Sequence, residues 1–131
     1  MDGLTIQVTS VTITTPDPRA LAAFYSRLLS QPVTTEEGPR PGAPPTDGWA
    51  QIRPIIGPTL NFEYEAEWTP PQWPSRPGTQ HATQHLDIHV NNLEAAVNHA
   101  LASGATLANH QPQTDVRVLL DPAGHPFCLF T

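Results

Sequence analysis

From Val8 to Thr15 apolar and polar residues alternate, with Val11 and Ile13 on one face and Ser10, Thr12 and Thr14 on the other, the period of a half-buried strand. Asp17-Pro18 then predicts a helix start, because an aspartate side chain accepts from the first free amides and proline loses no hydrogen bond at the first helical position. Leu21, Phe24, Tyr25 and Leu28 follow at helical spacing and Pro32 closes the segment. The same phrase returns from His85. Leu86, Ile88 and Val90 alternate with His85, Asp87 and His89, Asn92 is placed to cap a helix through Leu93, Val97, Ala100 and Leu101, and Gly104 supplies its stop. A shift of 75 sets Ser10 on His85, Ile13 on Ile88 and Asp17 on Asn92. Val11, Ile13, Leu21, Phe24, Leu28, Leu86, Ile88, Val97 and Leu101 form the predicted core.

Each helix is followed by strand-like runs, Trp49 to Ile56 and Leu60 to Glu65 in the first half, and Thr106 to Ala108, Val116 to Leu120 and Phe127 to Phe130 in the second. Asp121-Pro-Ala-Gly124 has the residues of a type I turn and predicts a hairpin. Thr34 to Asp47 reads as a loop. The expected organisation is one domain: a first module at about 4–65, a Pro-rich connection at about 66–80 and a second module at about 81–131. Each half has an incomplete core, so the halves must bury their sheets against each other or against another subunit.

Composition narrows the function classes. The chain has 131 residues, enough for one core, and 38% are hydrophobic, which excludes global disorder. Eleven of the 16 prolines lie between Pro32 and Pro77, so the middle of the chain is turns and extended segments. The formal net charge is −6 and all six basic residues are arginines with no basic run, so neither nucleic acid nor an anionic membrane surface is an expected partner. Cys128 is the one cysteine and cannot form an intrachain disulfide; no run approaches a membrane span, and Met1-Asp-Gly-Leu4 lacks a secretion signal, so the expected location is cytoplasmic. There is no Gly-rich phosphate loop and no Gly-x-Ser-x-Gly elbow.

Thr14-Thr-Pro-Asp-Pro-Arg-Ala-Leu-Ala-Ala-Phe-Tyr25, His85-Leu-Asp-Ile-His-Val-Asn-Asn-Leu-Glu-Ala-Ala-Val97 and Asp121-Pro-Ala-Gly-His-Pro-Phe-Cys-Leu129, in that order, resemble the vicinal oxygen chelate superfamily. The nearest branch is the glyoxalase-like domains grouped with glyoxalase, bleomycin-resistance proteins and extradiol dioxygenases. The resemblance implies an α+β fold of two βαβββ modules whose sheets curl around a cleft, usually in a homodimer. It does not fix the chemistry.

The resemblance also implies metal positions on the first and last strands of each module, here Ser10, Glu63, His85 and Cys128. Only His85 and Glu63 match the family's usual His, Gln and carboxylate set. A serine hydroxyl is a poor ligand for a divalent cation, and a lone cysteine between Phe127 and Leu129 reads as a small buried hydrophobe more readily than as a thiolate ligand. Two good ligands hold a metal weakly. The expected state is therefore no cofactor, with a bound divalent metal as the alternative.

Ser10, Thr12, Glu63, Tyr64, His85, Asp87 and Cys128 are the expected pocket residues, and His85 with Glu63 the catalytic pair if there is turnover. Glu65 and Glu67 read as a solvated face, His125 as a solvated loop residue, and His99 as lying on an exposed or partly packed helix face. His81, His85 and His89 would stack on a helix as a zinc site, but on a strand a step of four spans about 13 Å and separates them. Trp49, Trp68 and Trp73 either cover the open end of a small core or wall an apolar pocket. Two functions follow: a glyoxalase-like small-molecule-binding protein with a degraded metal site, or a metal-dependent lyase, isomerase or dioxygenase.

Overall fold

The structure is a computed structural model and describes residues 3–131. β1 (Ser10–Thr15) is followed by α1 (Pro18–Leu29), β2 (Thr35–Glu37), β3 (Trp49–Ile52) and β4 (Thr59–Tyr64). The second module repeats the order as β5 (Leu86–His89), α2 (Leu93–Ser103), β6 (Thr106–Leu107), β7 (Val116–Leu120) and β8 (Pro126–Phe130). Each module folds into a four-stranded sheet in which the first strand pairs parallel with the last, in the orders β1-β4-β3-β2 and β5-β8-β7-β6. The architecture is α+β with two βαβββ modules, as the repeat and the resemblance imply. No helix among the described residues is long and apolar enough to cross a membrane.

The two corners are built alike. The Asp17 side chain accepts from the Ala20 amide at 3.1 Å and the Asn92 side chain from the Ala95 amide at 3.0 Å, so both helices start where the caps place them. α1 ends at Leu29, before Pro32, because Ser30 turns into the left-handed region with φ 52°. At the end of α2, Gly104 takes φ 123°, which only glycine adopts cheaply. The Asp121 turn closes through the Gly124 amide on the Asp121 carbonyl at 2.9 Å.

One core joins the modules. Leu21, Phe24 and Tyr25 from α1 meet Ile52, Leu60 and Phe62 from the first sheet and Leu119, Phe127 and Leu129 from the second. Phe24 and Tyr25 both reach Phe127, with ring centroids 6.1 and 6.2 Å apart, and Tyr25 stacks on Phe62 at 5.7 Å. The halves thus share one core within the chain, joined through α1.

Four expectations are corrected. Leu101 is 41% exposed: α2 presents Ala96, Val97 and Ala100 to the core, and Leu101 lies about 100° further round the helix. The first strand begins at Ser10, and Leu4, Ile6 and Val8 alternate along an exposed extended segment. β3 stops at Ile52, because Pro54 and Pro58 cannot donate to a ladder, and Ile55 and Ile56 are almost wholly exposed. The stretch read as loop contains β2, three exposed residues paired with β3 at the sheet edge, too short to show a period. The chain re-enters β3 through Gly48, where a Cβ would collide with the Glu37 carbonyl.

Candidate functional site

β1 and β5 are the facing edge strands of the two sheets, and a hollow of about 560 Å³ lies between them. Val11, Ile13, Leu86 and Pro126 give it an apolar lining; Thr12, Thr14, Gln84, His85 and His125 give it polar groups. Strand alternation explains the mixture, since a hollow at a sheet edge is reached from both faces of the strand.

Behind this lining runs a buried polar network that crosses between modules. The Tyr25 hydroxyl donates to Asp121 Oδ2 at 2.7 Å, and Asp121 meets Nδ1 of His125 at 2.8 and 2.9 Å. Nε2 of His125 lies 2.8 Å from the Thr14 carbonyl. Burial and then the Asp121 carboxylate push the Tyr25 hydroxyl well above its ordinary range, so it stays a donor. His125 is therefore no solvated loop residue: its side chain is 20% exposed, and Trp68 covers it with ring centroids 4.8 Å apart. The motif from Asp121 to Phe127 held both residues, but it signalled only a turn, because nothing local reports a tyrosine 96 positions earlier.

His85 also belongs to a second group. Its Nε2 lies 3.2 Å from Asp87 Oδ1, Asp87 pairs with Cys128 across β5 and β8, and one donor atom from each of the three lies within 4.8 Å of the others. Burial and then the neighbouring Asp87 raise the Cys128 thiol, so a metal arriving here must displace its proton. His81 and His89 stand apart: His81 meets the Arg76 carbonyl, and His89 sits at the end of β5 against the Phe130 ring, as expected of a strand.

Glu63 lines a second hollow, of about 460 Å³, with Glu37, Arg40, Asp47, Trp49 and Tyr64. Glu37, Trp49 and Glu63 form one row across β2, β3 and β4. Arg40 donates to Asp47 through Nε at 3.0 Å, Nη2 at 2.8 Å and the backbone amide at 2.8 Å; these bonds hold the Asp47 carboxyl at about 2. Ser10 and Thr12 lie exposed on β1, on the face that carries Thr59 and Asn61. Of the seven expected pocket residues, the structure thus brings His85, Asp87 and Cys128 together, sets Thr12 with His85 on the hollow between modules, and sets Glu63 and Tyr64 on a separate one. Trp73 lies against His110, its Nε1 donating to the His110 carbonyl at 3.4 Å.

Paired βαβββ modules around a shared core, with an open hollow between their first strands, define the class of fold. Residues 10–130 match the profile of the glyoxalase-like domain family, and the chain belongs to that family. Its fold is shared with a glyoxalase family protein from Enterococcus faecalis, at 19% identity over 95% of this chain and 97% of that one, with a TM-score of 0.67. It is shared too with a variant of the fosfomycin resistance protein FosX from Listeria monocytogenes, complexed with manganese(II) and 1S,2S-dihydroxypropylphosphonic acid. There the identity is 11%, over 97% and 93% of the two chains, and the TM-score is 0.71. A glyoxalase/bleomycin resistance protein/dioxygenase family enzyme from Burkholderia phytofirmans aligns at 19% identity over 95% and 97%, with a TM-score of 0.64. No curated protein matches the chain.

Proposed function

We propose that this chain is a small-molecule-binding protein of the glyoxalase-like family, with its ligand in the hollow between β1 and β5. The observation that carries this reading is the hollow itself: about 560 Å³, lined by Val11, Ile13, Leu86 and Pro126 together with hydroxyls and two imidazoles. That combination suits a compact, partly apolar molecule carrying a few hydrogen-bonding oxygens. The family's four-donor metal set does not fit the residues present. Ser10 offers a neutral hydroxyl, and Glu63 is outside the group that His85 forms.

A probe tests this without knowledge of the natural ligand. 8-Anilinonaphthalene-1-sulfonate, an amphipathic aromatic anion, is expected to bind with amide shift changes centred on Thr12, Leu86 and His125. Thr12→Trp, which fills the hollow from an exposed position, is expected to abolish them. Shifts centred on Trp49 and Glu63 instead, or binding unchanged by Thr12→Trp, would overturn the assignment.

The His85, Asp87 and Cys128 group supports a second reading, a metal-dependent lyase, isomerase or dioxygenase. Imidazole, carboxylate and thiolate together suit zinc, and three protein ligands leave a position open. A metal held there would act as a Lewis acid toward substrate oxygens; His85 would orient the ligand shell from a site bordering the hollow between β1 and β5. Cobalt(II) separates the readings. A thiolate-to-metal charge-transfer band that is lost in Cys128→Ser supports the metal site, and its absence in the wild type counts against it.

A further inference from the structure

The two ring nitrogens of His125 each face an acceptor. Nδ1 lies 2.9 and 2.8 Å from the Asp121 oxygens, and Nε2 lies 2.8 Å from the Thr14 carbonyl oxygen. A carbonyl and a carboxylate anion only accept, whereas a neutral imidazole carries a single N–H, so one of these contacts would lack a proton. Moving a proton to Asp121 is opposed by the donors already aimed at it. The amides of Ala123 and His125 reach Oδ1 at 3.0 Å each, and the Tyr25 hydroxyl reaches Oδ2 at 2.7 Å, all of which favour the anion. The hydrogen bonds close only with two protons on the imidazole.

We infer that His125 is held as an imidazolium and acts as a proton-dependent strap across the wall of the hollow between β1 and β5. Asp121 and His125 sit on the turn between β7 and β8, whereas Thr14 belongs to β1 and Tyr25 to α1, so the strap ties module two to module one. When the ring loses a proton, Asp121 keeps the N–H at Nδ1, and Nε2 is left lone pair to lone pair against Thr14. That contact opens, and with it the wall of the hollow.

The surroundings bear on the charge. From α1 comes the Tyr25 hydroxyl, from β1 the Thr14 carbonyl, and from its own turn the Asp121 carboxylate. His85 lines the same hollow ahead of β5. The segment after β4 brings the Trp68 ring to 4.8 Å from the imidazole, tilted by 50°, and carries Glu65 and Glu67 in its sequence.

The strap stands on its own geometry; its effect on binding rests on the function proposed above. Long-range proton–nitrogen spectra of the full chain test the strap in the wild type, with no variant needed. At about pH 7 both His125 nitrogens are expected in the protonated range, and a pyridine-type nitrogen there would overturn the inference. As pH rises, Nε2 is expected to lose its proton together with a shift of the Thr15 amide. Trp68 fluorescence, quenched by the charged ring, is expected to rise in the wild type and to be flat in His125→Asn; Trp68→Phe removes that signal and leaves the nitrogen spectra unchanged.

The anilinonaphthalene probe reads the effect on the hollow. Its affinity is expected to change about threefold or more between about pH 6 and about pH 8.5 in the wild type and not in His125→Asn. An affinity with equal pH dependence in both proteins would overturn the gating. If the nitrogen spectra show the imidazolium but Thr12→Trp leaves probe binding intact, the ligand assignment fails while the strap holds.

Discussion

Module one and module two have the same order of elements and the same helix caps, yet α1 buries Leu21, Phe24 and Tyr25 whereas α2 buries Ala100 and Ser103. The exposed faces of their first strands differ as well. β1 offers Ser10 and Thr12, while the residues entering and forming β5 offer His85, Asp87 and His89. Module one therefore supplies most of the helix-borne core and presents hydroxyls and amides, and module two presents imidazoles and a carboxylate. A duplicated fold lets the two burdens separate, because the topology fixes which positions face each other and leaves open what occupies them.

The largest test of that division is a pair of helix truncations. Phe24 is fully buried between Tyr25 and Phe127, so Phe24→Ala is expected to cost about 3–5 kcal/mol, the loss of transfer energy plus a cavity. Val97 is only partly buried, and Val97→Ala is expected to cost about 1 kcal/mol. Urea unfolding of both variants checks the ratio. Equal losses would break the comparison and make α2 an equal partner in the core.

Much of this was legible in the sequence, and the part that was not has a physical reason. Asp17 and Asn92 cap helices through hydrogen bonds three residues long, and Val11, Ile13, Leu86 and Ile88 declare a strand through neighbours two apart. Such features are local, so pattern reading reaches them. Tyr25 with Asp121, and His125 with Thr14, are joined over 96 and 111 positions, and no local rule reports a partner at that distance. Leu101 was lost differently: it sits at a tolerable helical spacing, but small side chains at Ala96 and Ala100 let the helix settle on its narrower face. Among the expected site residues, Asp87 and Cys128 meet because parallel register pairs them. Glu63 sits one strand in from β1, in the row that runs from Thr14 through Trp49 to Glu37, and lines the hollow beside Arg40 instead of the one beside His85.

The caps sharpen the contrast at a smaller scale. Asp17→Ala and Asn92→Ala each remove one side-chain acceptor from a helix start and are each expected to cost about 1 kcal/mol. The consequences should differ. With its buried face intact, α1 is expected to keep its first turn, whereas α2, with fewer buried side chains, is expected to fray at Ala95 and Ala96. Amide hydrogen exchange across both helices reads this directly, and matched fraying in α1 would show that burial does not anchor it.

The finest difference lies in the loops that enter β3 and β7. In module one the loop is closed by charge, with Arg40 on Asp47; in module two it is closed by a neutral carboxamide, Gln111 accepting from the Val118 amide and donating to the Val118 and Ala108 carbonyls. Asp47, held at about 2, sits below the roughly 3.9 of a free aspartate, so its contribution is complete above about pH 4 and is lost as pH falls through about 2. Gln111 does not titrate. Amide shifts of Arg40 and Gly48 are therefore expected to move between about pH 4 and about pH 2, with those of Gln111 and Val118 still, and Asp47→Asn is expected to remove the movement. Coincident transitions in both loops would mean that acid unfolds the shared core first, and that the two closures are not independent.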